Sequence, residues 1–176
     1  MITVCTMGKH SETPAFLSLR IYSLSQKKNQ IPLKIDNCYL RFSPEQKEIL
    51  YRQIEEAEMD ALIGFTSPNA AAFAEISSRF PMAEFHYDGI LTENNASELQ
   101  QYTAGHRTTV WVPYPNDNTN WLDAAVHRAS AQWCAYIHSL GFEVGVWLLT
   151  LKTELAEARN VFHADIIETN GMLKPL

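Results

Sequence analysis

Asp36 follows directly on the run Ile31-Pro32-Leu33-Lys34-Ile35, and a carboxylate at the end of such a strand is the oxygen ligand that Mg²⁺ or Ca²⁺ selects. The same carboxylate could instead cap a helix or tie a loop together. His86 and Asp88 stand two residues apart, where a neighbouring carboxylate would raise the imidazole pKa toward acid/base work, although Asp88-Gly89 reads equally as a turn. Thr66-Ser67-Pro68 offers hydroxyls ahead of a helix N-terminus, a setting that suits an anion. Trp147 has a flat ring that would either stack on a ligand or fill the core. His138 lies near a helix end, where a cationic imidazole complements the dipole, and His10, His106, His127 and His163 have no partner at metal-ligand spacing.

Several chemistries are excluded by what is missing. Cys5, Cys38 and Cys134 are odd in number and far apart, so the expectation is buried reduced thiols in a cytoplasmic protein, with no disulfide framework and no zinc site. No Gly-x-Gly-x-x-Gly, Gly-x-x-x-x-Gly-Lys or Gly-x-Ser-x-Gly loop is present. With 14 Lys and Arg against 20 Asp and Glu, the net charge of -6 disfavours a nucleic acid partner. The longest apolar runs, such as Val144 to Leu149, are far shorter than a bilayer span, and the start Met1 to Met7 has no basic flank of a secretory signal.

The elements that must position these residues follow from periodicity. A chain of 176 residues with 46% hydrophobic side chains can bury one real core, so residues 1–176 are expected to form a single domain. Short apolar runs alternate with longer amphipathic segments from about residue 13 onward, the pattern of an α/β fold with parallel strands. Strands are expected at Ile31 to Asn37, Asp60 to Thr66, Met82 to His86, Thr108 to Val112, Glu143 to Leu149 and Asp165 to Thr169, six in all. Thr13-Pro14 is expected to open a helix, Ser43-Pro44-Glu45-Gln46 is a capping box for a helix to about Glu58, and Ser67-Pro68 begins another. Thr92 to Ala104 is expected as a helix stopped by Gly105, Trp121 to Leu140 as the longest helix with Gly141 as its left-handed cap, and Lys152 to Asn160 as the last. In parallel α/β folds the reactive groups sit at the carboxyl ends of the strands. That rule selects Asp36 to Cys38, Thr66 to Ser67, His86 to Asp88, Tyr114 to Asn116, Trp147 to Thr150 and Thr169 to Asn170.

The C-terminal third carries a longer pattern: Ile137-His138-Ser139-Leu140-Gly141-Phe142-Glu143-Val144-Gly145-Val146-Trp147, then Ala164-Asp165-Ile166-Ile167-Glu168-Thr169-Asn170. It resembles the last two strands of the glycerophosphodiester phosphodiesterase family. Ile31 to Asp36 is similar to that family's third strand, whose acidic residue is a metal ligand, and Thr13-Pro14 with Phe16-Leu17 is similar to the helix before it. The resemblance implies a (β/α) TIM-barrel-like fold, here incomplete with about six of eight strands, and metal-dependent hydrolysis of a phosphoric diester in glycerol phosphate and lipid metabolism. It implies Asp36 as a ligand of Mg²⁺ or Ca²⁺, and Trp147 and Asn170 as substrate-binding residues. The family's His-Arg pair, Glu-Asn-Thr, Glu-x-Asp and second His-Asp do not occur in residues 1–30. Cys38 stands where the family has Lys, Leu148 where it has Thr, and Ile166 where it has Gly. The expectation is therefore a divergent or truncated member, with a non-catalytic barrel remnant that binds a phosphorylated ligand or a protein partner as the other reading. Six strands would also leave two edges and an apolar interior uncovered, to be closed by Ile2 to Met7 or by a second copy in a homodimer.

Overall fold

The computed structural model describes residues 2–4, 32–115 and 127–169. Seven parallel strands form one sheet in sequence order: β1 (Ile2–Val4), β2 (Leu33–Ile35), β3 (Ile63–Ser67), β4 (Glu84–Tyr87), β5 (Thr108–Pro113), β6 (Glu143–Leu149) and β7 (Ile166–Thr169). Five helices lie between them among the described residues: α1 (Pro44–Glu56), α2 (Ala72–Arg79), α3 (Ala96–Tyr102), α4 (Ala131–Ser139) and α5 (Lys152–Asn160). Each strand pairs with its neighbours in sequence, the order of a (β/α) barrel. The chain thus adopts the incomplete TIM-barrel-like α/β fold that its sequence implies. All six expected strands are present, and Ile2 to Val4 adds a seventh by pairing with Leu33 to Ile35.

The curl of the sheet is visible in one contact. The Lys34 ammonium on β2 lies 3.3 Å from Glu168 Oε2 on β7. In a flat sheet five inter-strand steps of about 4.8 Å would hold these strands about 24 Å apart. The strands must therefore wrap, and side chains of alternate parity face a convex and a concave side. Leu33, Ile35, Ile63, Phe65, Phe85, Val110, Val112, Val144 and Val146 take the convex side and are buried in the core. There Phe65 stacks on Phe80 at 5.7 Å and Phe85 on Phe73 at 4.5 Å, so α2 is held by a ring within it and by one at its C-cap. α1 adds Leu50, Tyr51 and Ile54 to the same core. Its start is held by the expected capping box, with Ser43 Oγ accepting from Gln46 N and Gln46 Oε1 accepting from Ser43 N.

Several expected elements differ in extent: Asp60–Leu62 is a 3-10 turn ahead of β3, β4 begins at Glu84, and α3 covers only Ala96–Tyr102 of the expected Thr92 to Ala104. The strand expected over Ile31 to Asn37 is β2, and it ends at Ile35 because Asp36 Oδ1 accepts from Asn37 N and starts a 3-10 turn over Asn37–Arg41. The expected long helix is cut short: residues 127–130 are not helical, and Ser130 is the N-cap of α4, its side chain accepting from Trp133 N. Among the described residues the longest helix is therefore the 13-residue α1. Ser67-Pro68 does not start a helix either. Ser67 ends β3, its Oγ bonding both the N–H and the carbonyl of Asn69, and α2 begins only at Ala72. The helix expected at Thr13-Pro14 and the residues Cys5, His10 and Asn170 lie outside the described residues. Cys38 and Cys134 are buried thiols, as expected.

The concave side is not the apolar surface expected of an open barrel. Lys34, Thr66, His86 and Trp111 occupy it, with Gly64 and Gly145 allowing their close approach. A Cβ on Gly64 would stand 2.6 Å from His86 Nε2, and one on Gly145 would stand 2.6 Å from the Trp111 ring. Trp111 Nε1 donates to His86 Nδ1 over 3.2 Å, so the neutral imidazole carries its proton on Nε2. At the lower rim Arg107 joins Glu84 and Glu143 at 2.8 and 2.7 Å.

Two expectations follow from this floor. Gly145→Ala should cost about 1–3 kcal/mol in urea unfolding, because a Cβ there would stand 2.6 Å from the buried Trp111 ring and force that ring or the strand to shift. The loss should shrink in a background carrying Trp111→Leu, and an equal loss in both backgrounds would contradict the contact. His86 is fully buried, and desolvation, with Lys34 and Arg107 adding to it, pushes its pKa down from 6.5 to about 3. The unfolded chain then binds more protons than the folded one between these values, so stability present at neutral pH is lost as pH falls through that window. His86→Gln should flatten the decline of Tm between about pH 6.5 and 4, whereas an unchanged slope would show that His86 is not the group responsible.

Candidate functional site

A cavity of about 310 Å³ opens at the carboxyl ends of the strands, lined by Lys34, Asp36, Asn37, Thr66, Asp88, Trp111, Trp147 and Glu168. Each strand from β2 to β7 contributes to it, β4 through Asp88 just beyond its last residue. The sheet's parity explains the membership. Residues two apart share a face, so the polar side of each strand points into one curled space.

Two groups of side chains divide the cavity. The first is built on Lys34, whose side chain is 7% exposed, against 42% for Glu168. A buried ammonium needs compensation, and Lys34 receives it from Glu168 and from the Trp111 ring, 4.3 Å below it. Thr66 lies beside it in the cavity wall, and its buried Oγ1 has no hydrogen-bond partner in the protein. The second group is a carboxylate pair. Asn37 spans it, giving its backbone N–H to Asp36 Oδ1 at 2.8 Å and its amide Nδ2 to Asp88 Oδ2 at 3.1 Å. Enclosure first, and the Asp36 charge second, raise the Asp88 pKa to about 6 against the lowering by the Asn37 amide, a backbone hydrogen bond and Lys34. Asp88 keeps solvent contact, and water at the open mouth screens part of this effect.

The structure brings Asp36, Thr66, Asp88 and Trp147 into one cavity, as the strand-end rule requires. It separates the His86 and Asp88 pair: His86 is hydrogen-bonded to Trp111 beneath the cavity, while Asp88 is held by Asn37. His138 ties the end of α4 to the approach of β7, its Nε2 lying 2.8 Å from Asp165 Oδ2, which also accepts from Val144 N. Lys34, Trp111 and Glu168 are site residues that spacing did not single out. Their signal was a polar or bulky residue within an apolar strand, legible only once the concave parity is known.

The divalent cation implied by the resemblance would need several oxygen ligands converging on one point. Among the described residues no three His, Cys, Asp or Glu side chains converge as a cation site. Asp36 is engaged by Asn37 N, and Glu168 by Lys34. The described residues therefore do not by themselves form a metal centre.

No protein-family model matches the sequence, and no curated protein matches it. Solved structures do match. One is of a protein from Galdieria sulphuraria described as a glycerophosphodiester phosphodiesterase, at 14% identity and a TM-score of 0.61, covering 86% of this chain and 59% of that one. A second, described as a glycerophosphoryl diester phosphodiesterase from Silicibacter pomeroyi, gives 14% identity and a TM-score of 0.60 over 86% of this chain and 51% of that one. A glycerophosphoryl diester phosphodiesterase from Parabacteroides distasonis gives 14% identity and a TM-score of 0.56, covering 85% of this chain and 50% of that one. The chain thus spans between half and three fifths of the length of these neighbours and shares their fold.

Proposed function

We propose that this chain is a divergent relative of the glycerophosphodiester phosphodiesterases whose strand-end cavity binds a small phosphodiester or other phosphorylated ligand. The observation that carries the reading is the buried Lys34 ammonium beside the unpartnered Thr66 hydroxyl in one open cavity. An ammonium and a hydroxyl donor suit phosphate oxygens, while Asp36 and Asp88 accept hydrogen bonds from the hydroxyls of a glycerol-like portion. The Trp147 ring offers an apolar face to its carbon chain.

Hydrolysis is the further step of this proposal. A water oxygen would bond to phosphorus, the bond from phosphorus to the alcohol oxygen would break, and the water proton would pass to the departing alcohol. Asp88, with its raised pKa, is the described group suited to hold that proton. A second proton-transfer group, and any partners of Asp36 around Mg²⁺ or Ca²⁺, would have to come from outside the described residues. The non-catalytic reading is favoured by one specific observation: His86, the imidazole closest to the cavity in sequence, is sealed beneath it.

A coupled assay for released glycerol 3-phosphate, run with Mg²⁺ and with Ca²⁺, separates the two readings. Turnover lost in Asp36→Ala supports the enzyme, and turnover that survives removes Asp36 from the reaction. Calorimetric binding without turnover supports the non-catalytic reading. In either case Trp147→Ala should weaken glycerophosphodiester binding about tenfold, or about 1.4 kcal/mol, and unchanged affinity would place the ligand elsewhere. A second copy covering the outer edge of β7 is part of the proposal. Light scattering giving a mass near 20.0 kDa that is unchanged on dilution would reject it.

A further inference from the structure

We propose that Glu168 is an internal competitor for the anion site: it holds the Lys34 ammonium in the empty protein, and a phosphate oxygen of the ligand takes its place. The inference rests on the cavity being an anion site and adds the residue that sets its selectivity.

The two ends of the ion pair are unequally held. Lys34 is on an inner strand, with its side chain 7% exposed and its ammonium over the Trp111 ring. Glu168 is 42% exposed and sits on β7, which among the described residues pairs with β6 alone. Rotating its carboxylate into solvent costs little, because it already reaches water at the cavity mouth. The contact is also long: 3.3 Å, against about 2.7–2.9 Å for a well-formed bond between an ammonium and a carboxylate. Thr66 Oγ1 is a second donor in the same wall and has no protein acceptor. Replacement of the Glu168 carboxylate by a phosphate therefore preserves the charge partner of Lys34 and gives Thr66 an acceptor it lacks.

Charge sets the consequence. Three carboxylates, those of Asp36, Asp88 and Glu168, share the cavity with one ammonium, and His86 beneath it is neutral. Glu168 is the carboxylate in direct contact with Lys34, so it opposes an incoming anion most strongly. A neutral polyol meets no such opposition. Glu168 thereby discriminates by ligand charge, favouring weakly charged groups over dianions.

The test is calorimetric titration of the full chain with glycerol 3-phosphate and, separately, with glycerol. Glu168→Gln keeps a carbonyl oxygen for Lys34 and removes the charge. It should tighten glycerol 3-phosphate binding about tenfold while changing glycerol affinity less than about twofold. Lys34→Met should abolish the gain when combined with Glu168→Gln, and circular dichroism of each variant confirms the fold. Binding to Glu168→Gln alone, with none detected in the unsubstituted chain, supports the competition in its strongest form. An unsubstituted chain that binds the anion as tightly as Glu168→Gln, or more tightly, overturns the competition and leaves the anion site standing. Absence of binding to both overturns the anion site and the competition together.

Discussion

Closure of the parallel sheet is the constraint on which this architecture turns, and the ion pair between Lys34 and Glu168 marks it by reaching from the second strand of the sheet to the seventh. Strands that a flat sheet would hold about 24 Å apart can share a side-chain contact only if the sheet closes most of a circle. Closure then sorts a simple alternation into two unlike sides. The apolar residues of each strand turn outward to the helices, and the polar ones turn inward to a shared space. A complete barrel fills that space with bulky branched side chains. Here glycine at 64 and 145 makes room for His86 and Trp111 as a floor, and the cavity opens above them.

The electrostatics of the site follow from the same geometry. A buried ammonium is tolerable only with a charge partner and a polarisable ring, and the curl brings both to Lys34 from strands distant in sequence. Asp36 and Asp88 come from β2 and β4, with Thr66 of β3 between them, and one residue, Asn37, donates to both carboxylates. Partial enclosure at the cavity mouth and the nearby Asp36 charge raise the Asp88 pKa, and the Asn37 amide limits the rise. His86 shows the opposite outcome: deeper burial with no charged partner in bonding distance keeps it neutral and structural. The likeness to glycerophosphodiester phosphodiesterases at 14% identity is a likeness of fold.

Much of the fold was legible in the sequence because its signals are local. The Ser43 capping box and the apolar runs of the six strands each depend on a few adjacent residues. The end of β2 was misplaced because Asp36 can continue a strand or cap a turn, and only the Asn37 N–H decides between them. The length of α4 was overestimated because Val126 and Ala129 keep helical spacing, yet Ser130 takes an extended backbone and caps the helix that follows. The site was half legible. Asp36, Thr66, Asp88 and Trp147 fall at strand ends and can be found by rule. Lys34, Trp111 and Glu168 lie within strands, and their roles depend on which parity faces inward, a property of the closed sheet rather than of any one segment.

The claim that the concave, polar side of the curled sheet is the ligand-binding side is tested most directly by chemical-shift mapping of the ¹⁵N-labelled chain titrated with a glycerophosphodiester. The account predicts saturable shifts at the Lys34, Asn37 and Thr66 amides and at the indole N–H groups of Trp111 and Trp147, with the amides of Leu50, Phe73 and Ile76 on the outer helices unmoved. Saturable shifts confined to those outer helices, or none at any concentration, would contradict it.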